Sequence, residues 1–318
     1  MAYTALCVLV YISTCHSVDK CFNARYNTMR FKKKELKKVR IYPMAAAQAG
    51  NSRPRTFVIA NQKGGVGKTV TSMGLAQILS MRGRVLAIDL DPQGHLTLSL
   101  GGDKHTDDDL YAALTVKNYP VTKAVQVISD NLHVLPGTIN LTRIEKETEL
   151  GVNFWLLKRV IEPLRELVHY DYIVIDTPPA LGIICSLALT ACKNGGIIIP
   201  AFPDRFSEDG IREFWRTVQV AKDVANPELR VLGILLTNHN PRTNLGQVYL
   251  ESYEELAEMM ESKVFNTYIR RNIKLAEAAS TGESICSEEY ARTAPKLLED
   301  YNNLIDELIK TTEEGADR

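Results

Sequence analysis

A glycine-rich loop between an apolar strand and a helix constrains the fold of this chain more than any other feature. Residues 57–60 form an apolar run typical of a buried strand, and residues 70–81 are predicted to be helical. Between them lies Asn61-Gln62-Lys63-Gly64-Gly65-Val66-Gly67-Lys68-Thr69. In this context backbone N–H groups can close around a phosphate, and the helix dipole favours its negative charge. The loop predicts that Lys68 reaches the outer phosphates of a nucleotide and that Thr69 binds Mg²⁺. A glycine-rich turn without a ligand is the alternative.

Two lysines distinguish this loop from the standard phosphate-binding motif. The usual pattern has a glycine five residues before Gly67, where this chain has Gln62, and a second lysine, Lys63, stands five residues before Lys68. In these residues the loop resembles the deviant Walker A ATPases of the ParA/MinD superfamily. The resemblance implies a weak ATPase that uses ATP and Mg²⁺, in which Lys63 reaches across a nucleotide-sandwich homodimer to the partner subunit's ATP. The candidate nucleotide contacts are Lys63, Gly64, Gly65, Val66, Gly67, Lys68, Thr69 and Val70.

Two further strands deliver carboxylates to the same edge of the predicted sheet. Residues 85–88 lead into Asp89-Leu90-Asp91-Pro92-Gln93-Gly94, and residues 172–175 lead into Asp176. Open α/β sheets bind ligands at the carboxyl ends of their strands, and carboxylate oxygens suit Mg²⁺ or its waters. The first segment resembles the family motif Asp-x-Asp-Pro-Gln-Gly, which implies that Asp91 positions the attacking water and Asp89 supports the metal and a switch. Asp176 is expected to accept hydrogen bonds from metal-bound water. For the first segment, a simple strand-end turn is the alternative.

Two later strand ends are candidates for recognition of the base. The apolar runs 195–200 and 231–237 predict buried strands, which lead into Pro203 and Asn238. The family binds adenine around these two strand ends, so the resemblance implies that Pro203 and Asn238 contact the base. Both residue types are also common in turns, which is the alternative interpretation.

A basic segment near the C-terminus resembles the partition ATPases in particular. Residues 270–278 read Arg-Arg-Asn-Ile-Lys-Leu-Ala-Glu-Ala, where those proteins commonly have Pro-Arg-Asn-x-Arg-Leu-Ser-Glu-Ala. The resemblance implies nonspecific DNA binding by Arg242 and Lys274, and we add Arg270 and Arg271 as neighbouring positive charges. Such residues contact phosphates and give affinity without base readout. Ordinary solvated charges are the alternative.

Charge is distributed unevenly along the chain. Residues 1–54 contain ten Lys/Arg and two Asp/Glu, a net charge of +8, whereas residues 55–318 contain 28 and 36, a net charge of −8. A DNA contact in the second segment must therefore come from a local basic face. We expect residues 1–54 to be a disordered leader, with Met44 as a plausible true start. A basic arm for nucleic acid or an anionic membrane is the alternative.

Cysteine use and the acidic C-terminus bear on location. The six cysteines form no Cys-x-x-Cys pair and no zinc-site spacing, so we expect a reduced, cytoplasmic protein. The resemblance to the DNA-binding partition ATPases implies that it associates with the nucleoid. Residues 289–310 are predicted to form an amphipathic last helix, and Glu313 and Glu314 follow it. MinD-type relatives anchor to membranes through a basic C-terminal helix. The negative charge here therefore disfavours membrane recruitment.

The alternation of strands and helices predicts one α/β domain over residues 55–318. Further strands are expected at 132–136 and 264–269 and helices at 152–169 and 208–224, which gives a doubly wound, mainly parallel sheet with helices on both faces. The ParA/Soj resemblance implies a switch in which the ATP-bound dimer binds nonspecific DNA and a ParB-like partner stimulates hydrolysis, to segregate a plasmid or chromosome. Three alternatives stay open: a relative that positions a chemosensory array or microcompartment, a metabolic enzyme acting on a small carboxylate or amide, and a MinD-like division regulator.

Overall fold

The computed structural model describes residues 54–147, 154–204, 206–239 and 244–314. The strands are β1 (Arg55–Ile59), β2 (Val85–Asp89), β3 (Gln126–Ser129), β4 (Leu132–Leu135), β5 (Tyr172–Asp176), β6 (Gly196–Ala201), β7 (Val231–His239) and β8 (Ile269–Arg270). The α-helices are α1 (Lys68–Leu79), α2 (His95–Ser99), α3 (Leu110–Thr115), α4 (Thr142–Glu147), α5 (Leu156–Leu167), α6 (Ile183–Ala191), α7 (Phe206–Val224), α8 (Asn244–Met259), α9 (Ile273–Thr281), α10 (Glu288–Thr293) and α11 (Pro295–Glu314). The predicted leader, apart from Pro54, and Arg242 lie outside the described residues.

The described strands form one mainly parallel sheet in the order β3-β4-β2-β5-β1-β6-β7-β8. Every pair of neighbours is parallel except β3 and β4, which pair antiparallel at one edge. The central strands are apolar along their length because helices cover both faces, as parallel sheets require. The predicted doubly wound α/β architecture is confirmed.

Alternate residues of each strand enter two separate cores. On one face, Phe57 and Ile59 of β1 pack in a cluster with residues of α1, α2, α9, α10 and α11. On the other face, Val58 and the following Ala60 pack in a cluster with residues of α3 to α8. Burial of these apolar surfaces, at about 25 cal/mol per Å², is the main term that holds the layers together. The alternation follows from the two-residue period of an extended strand.

The C-terminal third differs from the sequence prediction. The strand predicted at 264–269 is wrong in extent: Val264 makes only an isolated bridge to Ile234, and β8 has two residues. The predicted last helix is divided into α10 and α11, and Pro295 begins the second, as proline suits a first helical turn. Strand β3 and helices α2 and α9 were not predicted from the sequence.

The register of the sheet places the carboxylates of two strands together. Asp176 at the end of β5 pairs with Ile59 at the end of β1 on one side and with Asp89 at the end of β2 on the other. The phosphate loop follows β1 directly, so it lies beside both aspartates. This carboxyl edge of the sheet therefore holds the candidate site. Within the described ranges, no helix is long and apolar enough to cross a membrane.

Candidate functional site

The glycine-rich loop opens onto a cavity of about 850 Å³ at the carboxyl edge of the sheet. Gly65 and Gly67 adopt φ angles of 75° and 87°, a backbone region that favours glycine. A Cβ atom added to Gly64 or Gly65 would meet no atom within 4 Å, so the loop backbone faces open space there. From the predicted nucleotide contacts, those that line the cavity are Gly64, Gly65, Gly67, Lys68, Thr69 and Val70. Val66 is buried beneath the loop.

Lys68 places a buried ammonium at the base of this cavity. Its side chain lies in the first turn of α1, the residue is 6% exposed, and Nζ donates a hydrogen bond of 2.8 Å to the Lys63 carbonyl. Burial lowers the pKa of Lys68, an effect that the charges of Asp176 and Asp91 oppose. Among the residues that the structure describes, the Lys63 carbonyl is the one hydrogen-bond acceptor of this buried cation. A buried charge with so few partners is costly, and an anion in the cavity would relieve that cost. The loop therefore fits a phosphate group.

Two of the three predicted metal residues, Thr69 and Asp176, are hydrogen-bonded to each other. The Thr69 hydroxyl donates to one carboxylate oxygen and the Ser72 hydroxyl to the other, each at 2.8 Å. Burial, and then the nearby charge of Asp89, raises the pKa of Asp176 to about 7, although the two hydroxyls oppose the shift. A cation next to this carboxylate would favour its charged form. Ser72 is one turn beyond Thr69 on the same helix face, and sequence reasoning did not identify it.

Asp89 is directed to a neighbouring helix rather than to the cavity. Its carboxylate accepts hydrogen bonds of 2.7 Å from both the backbone N–H and the hydroxyl of Thr97 in α2. Burial raises the pKa of Asp89 to about 6, against the effect of these bonds. The described residues contain no group of three or more His, Cys, Asp or Glu side chains able to hold a metal. Mg²⁺ typically needs only one or two carboxylates beside phosphates and water, so Thr69 and Asp176 suffice.

The segment after β2 carries Asp91 to the wall of the cavity. Asp91 lines it together with Gln93 and His95, and its carboxylate accepts a hydrogen bond of 2.9 Å from the backbone N–H of Gln93. Gly94 turns the chain into α2 with a φ of 66°. An acceptor held in this position can orient a water molecule that enters the cavity.

The segments at the ends of β6 and β7 also line the cavity. Asn238 lines it and adopts a φ of 52°. Pro203 does not line it, whereas the preceding Phe202 does. Thr237 also lines the cavity, and its hydroxyl donates to the Val66 carbonyl at 2.8 Å, which ties β7 to the phosphate loop. Phe202 and Thr237 were missed because only the folded chain brings these strand ends to the loop.

Lys63, the second lysine of the loop, is not among the residues that line its own cavity. Its ammonium lies 2.5 Å from both carboxylate oxygens of Asp204, in the turn after β6. The side chains are 24% and 37% exposed respectively. The structure thus separates the two lysines: Lys68 faces the cavity, and Lys63 contacts a carboxylate outside it.

The predicted basic face is only partly brought together. Arg270 forms an ion pair with Asp300 and a second with Glu299, which join β8 to α11 and raise the pKa of the guanidinium. Arg271 is exposed at the rim of the cavity. Lys274, in the first turn of α9, pairs with Glu277 at 2.7 Å. Arg271 and Lys274 therefore remain candidates for a partner, whereas Arg270 has an evident structural role.

Comparisons with known proteins agree with this geometry. The family model described as an AAA domain matches residues 54–231. The sporulation initiation inhibitor protein Soj of Bacillus subtilis is 37% identical over 234 residues, which cover 73% of this chain and 90% of that protein. The chromosome-partitioning ATPase Soj of Thermus thermophilus is 34% identical over 268 residues, which cover 83% and 99%. This chain belongs to the Soj/ParA family of phosphate-loop ATPases. The sequence-based assignment to that family is confirmed.

Solved structures show the same fold. Apo McdA from Cyanothece superposes with a TM-score of 0.71 at 24% identity and covers 80% of this chain and 100% of its own. A structure named cobyrinic acid a,c-diamide synthase from Mycobacterium smegmatis, with bound ADP and magnesium, has a TM-score of 0.63 at 29% identity and covers 77% and 98%. The McdA match supports the architecture. The second match adds a relative of this fold that holds a nucleotide and a metal.

Proposed function

We propose that this Soj/ParA family member is an ATP-dependent switch that dimerises, binds DNA without regard to sequence and segregates a plasmid or chromosome. The observation that carries the proposal is the separation of the two lysines of one loop. Lys68 is buried at the cavity, where it can serve its own nucleotide, while Lys63 lies outside the cavity. A second lysine that lies outside its own cavity is available to a nucleotide bound by another subunit.

The substrate and cofactor of this switch are ATP and Mg²⁺. The relative with ADP and magnesium supports this assignment, and the residues present fit it: Lys68 for the outer phosphates, Thr69 and Asp176 for the metal, and Asn238 with Phe202 for the base. Mg²⁺ supplies neutralisation of phosphate charge when bound. Asp91 orients the attacking water, and Lys68 with the partner subunit's Lys63 stabilises the charge that develops during hydrolysis to ADP and phosphate. Asp89 holds α2, and thereby the Asp91 segment, in place.

The DNA face of the dimer is assigned to Arg271 and Lys274, with Arg242 beyond the described residues. Positive side chains that contact phosphates release counterions, so the affinity should fall steeply with salt and show little sequence preference. Arg270 is left out of this set because its guanidinium is held by the buried Asp300 as well as by Glu299. Lys274 is kept because its one described ion pair, with Glu277, is exposed on both sides and is easily exchanged for a phosphate. A ParB-like partner would stimulate hydrolysis and so release the dimer from DNA. Because its ATP-bound dimer binds DNA, the protein would be cytoplasmic and associated with the nucleoid.

The test is the molar mass and DNA affinity of Lys63→Ala in the presence of ATP. We expect the parent protein to pair and to bind a nonspecific duplex with ATP, and the variant to stay monomeric and bind weakly, by light scattering and fluorescence anisotropy. The matched control is Lys193→Ala, which removes a lysine of similar exposure (26%) that pairs with Glu228 at the opposite edge of the sheet. Unchanged pairing and DNA binding by Lys63→Ala would contradict the proposal.

A second candidate function is metabolic, and one comparison favours it. The 29% identical relative carries the name of an enzyme that forms amides from cobyrinic acid. A metabolic enzyme of that kind needs no ATP-dependent DNA binding, so Arg271→Ala and Lys274→Ala would leave its affinity for DNA unchanged. If the partition switch is correct, each variant should weaken DNA binding uniformly across sequences and reduce the salt slope by about one. A protein that positions another cargo would also dimerise with ATP. Capture of its partner protein would distinguish that function from DNA segregation.

A further inference from the structure

The carboxylate that holds Lys63 belongs to a well-supported turn. Asp204 follows β6, and the Tyr253 hydroxyl of α8 donates to the carbonyls of Phe202 and Asp204. Tyr253 is fully buried, so the helix core fixes the position of this turn. The backbone that carries Asp204 is therefore held in place beside the phosphate loop by contacts to α8.

Asn61 fixes the lysine side of the same pair. Its side-chain amide donates to the Pro200 carbonyl of β6 at 2.7 Å, and its carbonyl oxygen accepts from the Lys63 backbone N–H at 3.0 Å. One buried residue thus connects the phosphate loop to the strand that precedes Asp204. Both ends of the Lys63–Asp204 ion pair are anchored by the fold, which lowers the entropic cost of forming it.

We propose that Asp204 is a latch that holds Lys63 within its own subunit and opposes ATP-dependent pairing until it opens. The inference rests on the proposed function, in which Lys63 must reach the partner subunit's phosphates. The Lys63 ammonium now contacts both Asp204 oxygens and is not among the residues of its own cavity. A single ammonium cannot keep both of these contacts and also bind a phosphate in another subunit. Each subunit of a symmetric dimer must therefore open one latch.

The size of the effect follows from the exposure of the pair. A partly exposed ion pair changes an equilibrium by up to about fivefold. Because two latches open when one dimer forms, the dimer dissociation constant should contain this factor squared, up to about 25-fold. Half-exposed charges are also screened by salt, so the effect should shrink as the salt concentration rises.

The test measures the dimer dissociation constant at saturating ATP by sedimentation for three variants of the full chain. Asp204→Asn keeps the size of the side chain but removes its charge, and we expect pairing to tighten by up to about 25-fold. Asp204→Glu keeps the charge and should stay within about threefold of the parent. The control Asp209→Asn removes an exposed carboxylate from α7 nearby and should change nothing. Pairing by Asp204→Asn that is unchanged or weaker than that of the parent overturns the latch.

The double variant Lys63→Ala with Asp204→Asn separates the latch from the proposed function. The latch acts only through Lys63, so the double variant should pair as weakly as Lys63→Ala alone. If Lys63→Ala pairs normally, the proposed function itself is wrong. If Lys63→Ala fails to pair and Asp204→Asn has no effect, only the latch is wrong. Thermal melts of all variants test whether folding is unaffected.

Discussion

Gly74 in α1 is expected to be essential for the contact between the phosphate-loop helix and the C-terminal helix. A Cβ atom at this position would lie 2.2 Å from Cζ, 2.3 Å from Cε1 and 2.7 Å from Cε2 of Tyr301. Tyr301 is fully buried in α11, and its hydroxyl donates to the Val70 carbonyl at 2.8 Å. The ring would have to move by roughly 1.3 Å to regain a normal carbon–carbon separation of about 3.5 Å.

The substitution Gly74→Ala tests this contact. Overpacking of a buried site costs typically 1–3 kcal/mol or somewhat more, while alanine in a helix gains about 1 kcal/mol over glycine. We expect a net loss of about 1–2 kcal/mol and a Tm lower by roughly 2–8 °C. Nucleotide affinity should also fall, because the displaced ring loses its hydrogen bond to the first turns of α1.

A second glycine in a helix provides the matched control. At Gly210 in α7 an added Cβ would lie 3.8 Å from Oδ1 of Asn61 and 4.0 Å from Cβ of Lys63, which are ordinary contacts. Gly210→Ala should therefore gain about 0.5–1 kcal/mol from helix propensity alone. In the Gly74→Ala background, Tyr301→Leu should cost less than it does alone, since it relieves the clash. Urea unfolding that shows Gly74→Ala to be as stable as the parent would refute the packing argument.

Two further predictions concern charge. Arg270→Ala should lower the free energy of unfolding by roughly 2 kcal/mol, because it leaves the carboxylate of Asp300, which is 5% exposed, without its ion pair. Lys274→Ala should leave the Tm unchanged and weaken only DNA binding, so equal melting of the two variants would contradict these distinct roles. Burial raises the pKa of Asp176 to about 7, so the metal-free folded protein binds more protons than the unfolded chain from about pH 4 to 7. Its free energy of unfolding should therefore fall as the pH rises through that window, by up to about 1.4 kcal/mol per pH unit for this group. Asp176→Asn should flatten that slope and be more stable than the parent at pH 8 in EDTA, and parallel curves would show that Asp176 is not responsible.

Much of the fold was predictable because the informative patterns are local. The buried strands β1, β2, β5, β6 and β7 and helices α1, α5 and α7 follow from apolar runs and periodicity, to within a few residues at their ends. The misses have a common cause. Strand β3 alternates half-buried and exposed residues at the edge of the sheet, and β8 is held by contacts to β7 and α11 rather than by its own composition. Short edge elements depend on partners that are distant in sequence.

Sequence alone determined the phosphate loop, its two lysines and the aspartates at the strand ends. These features rest on consecutive residues, whose backbone geometry and spacing are set locally by glycine and by the strand period. Tertiary structure alone decided which of these groups meet. It paired Arg270 with Asp300, joined Thr237 to the loop, and placed Lys63 on Asp204, 141 residues away. Electrostatic and hydrogen-bond partners are selected by distance in space, and only the folded sheet brings these strand ends within reach.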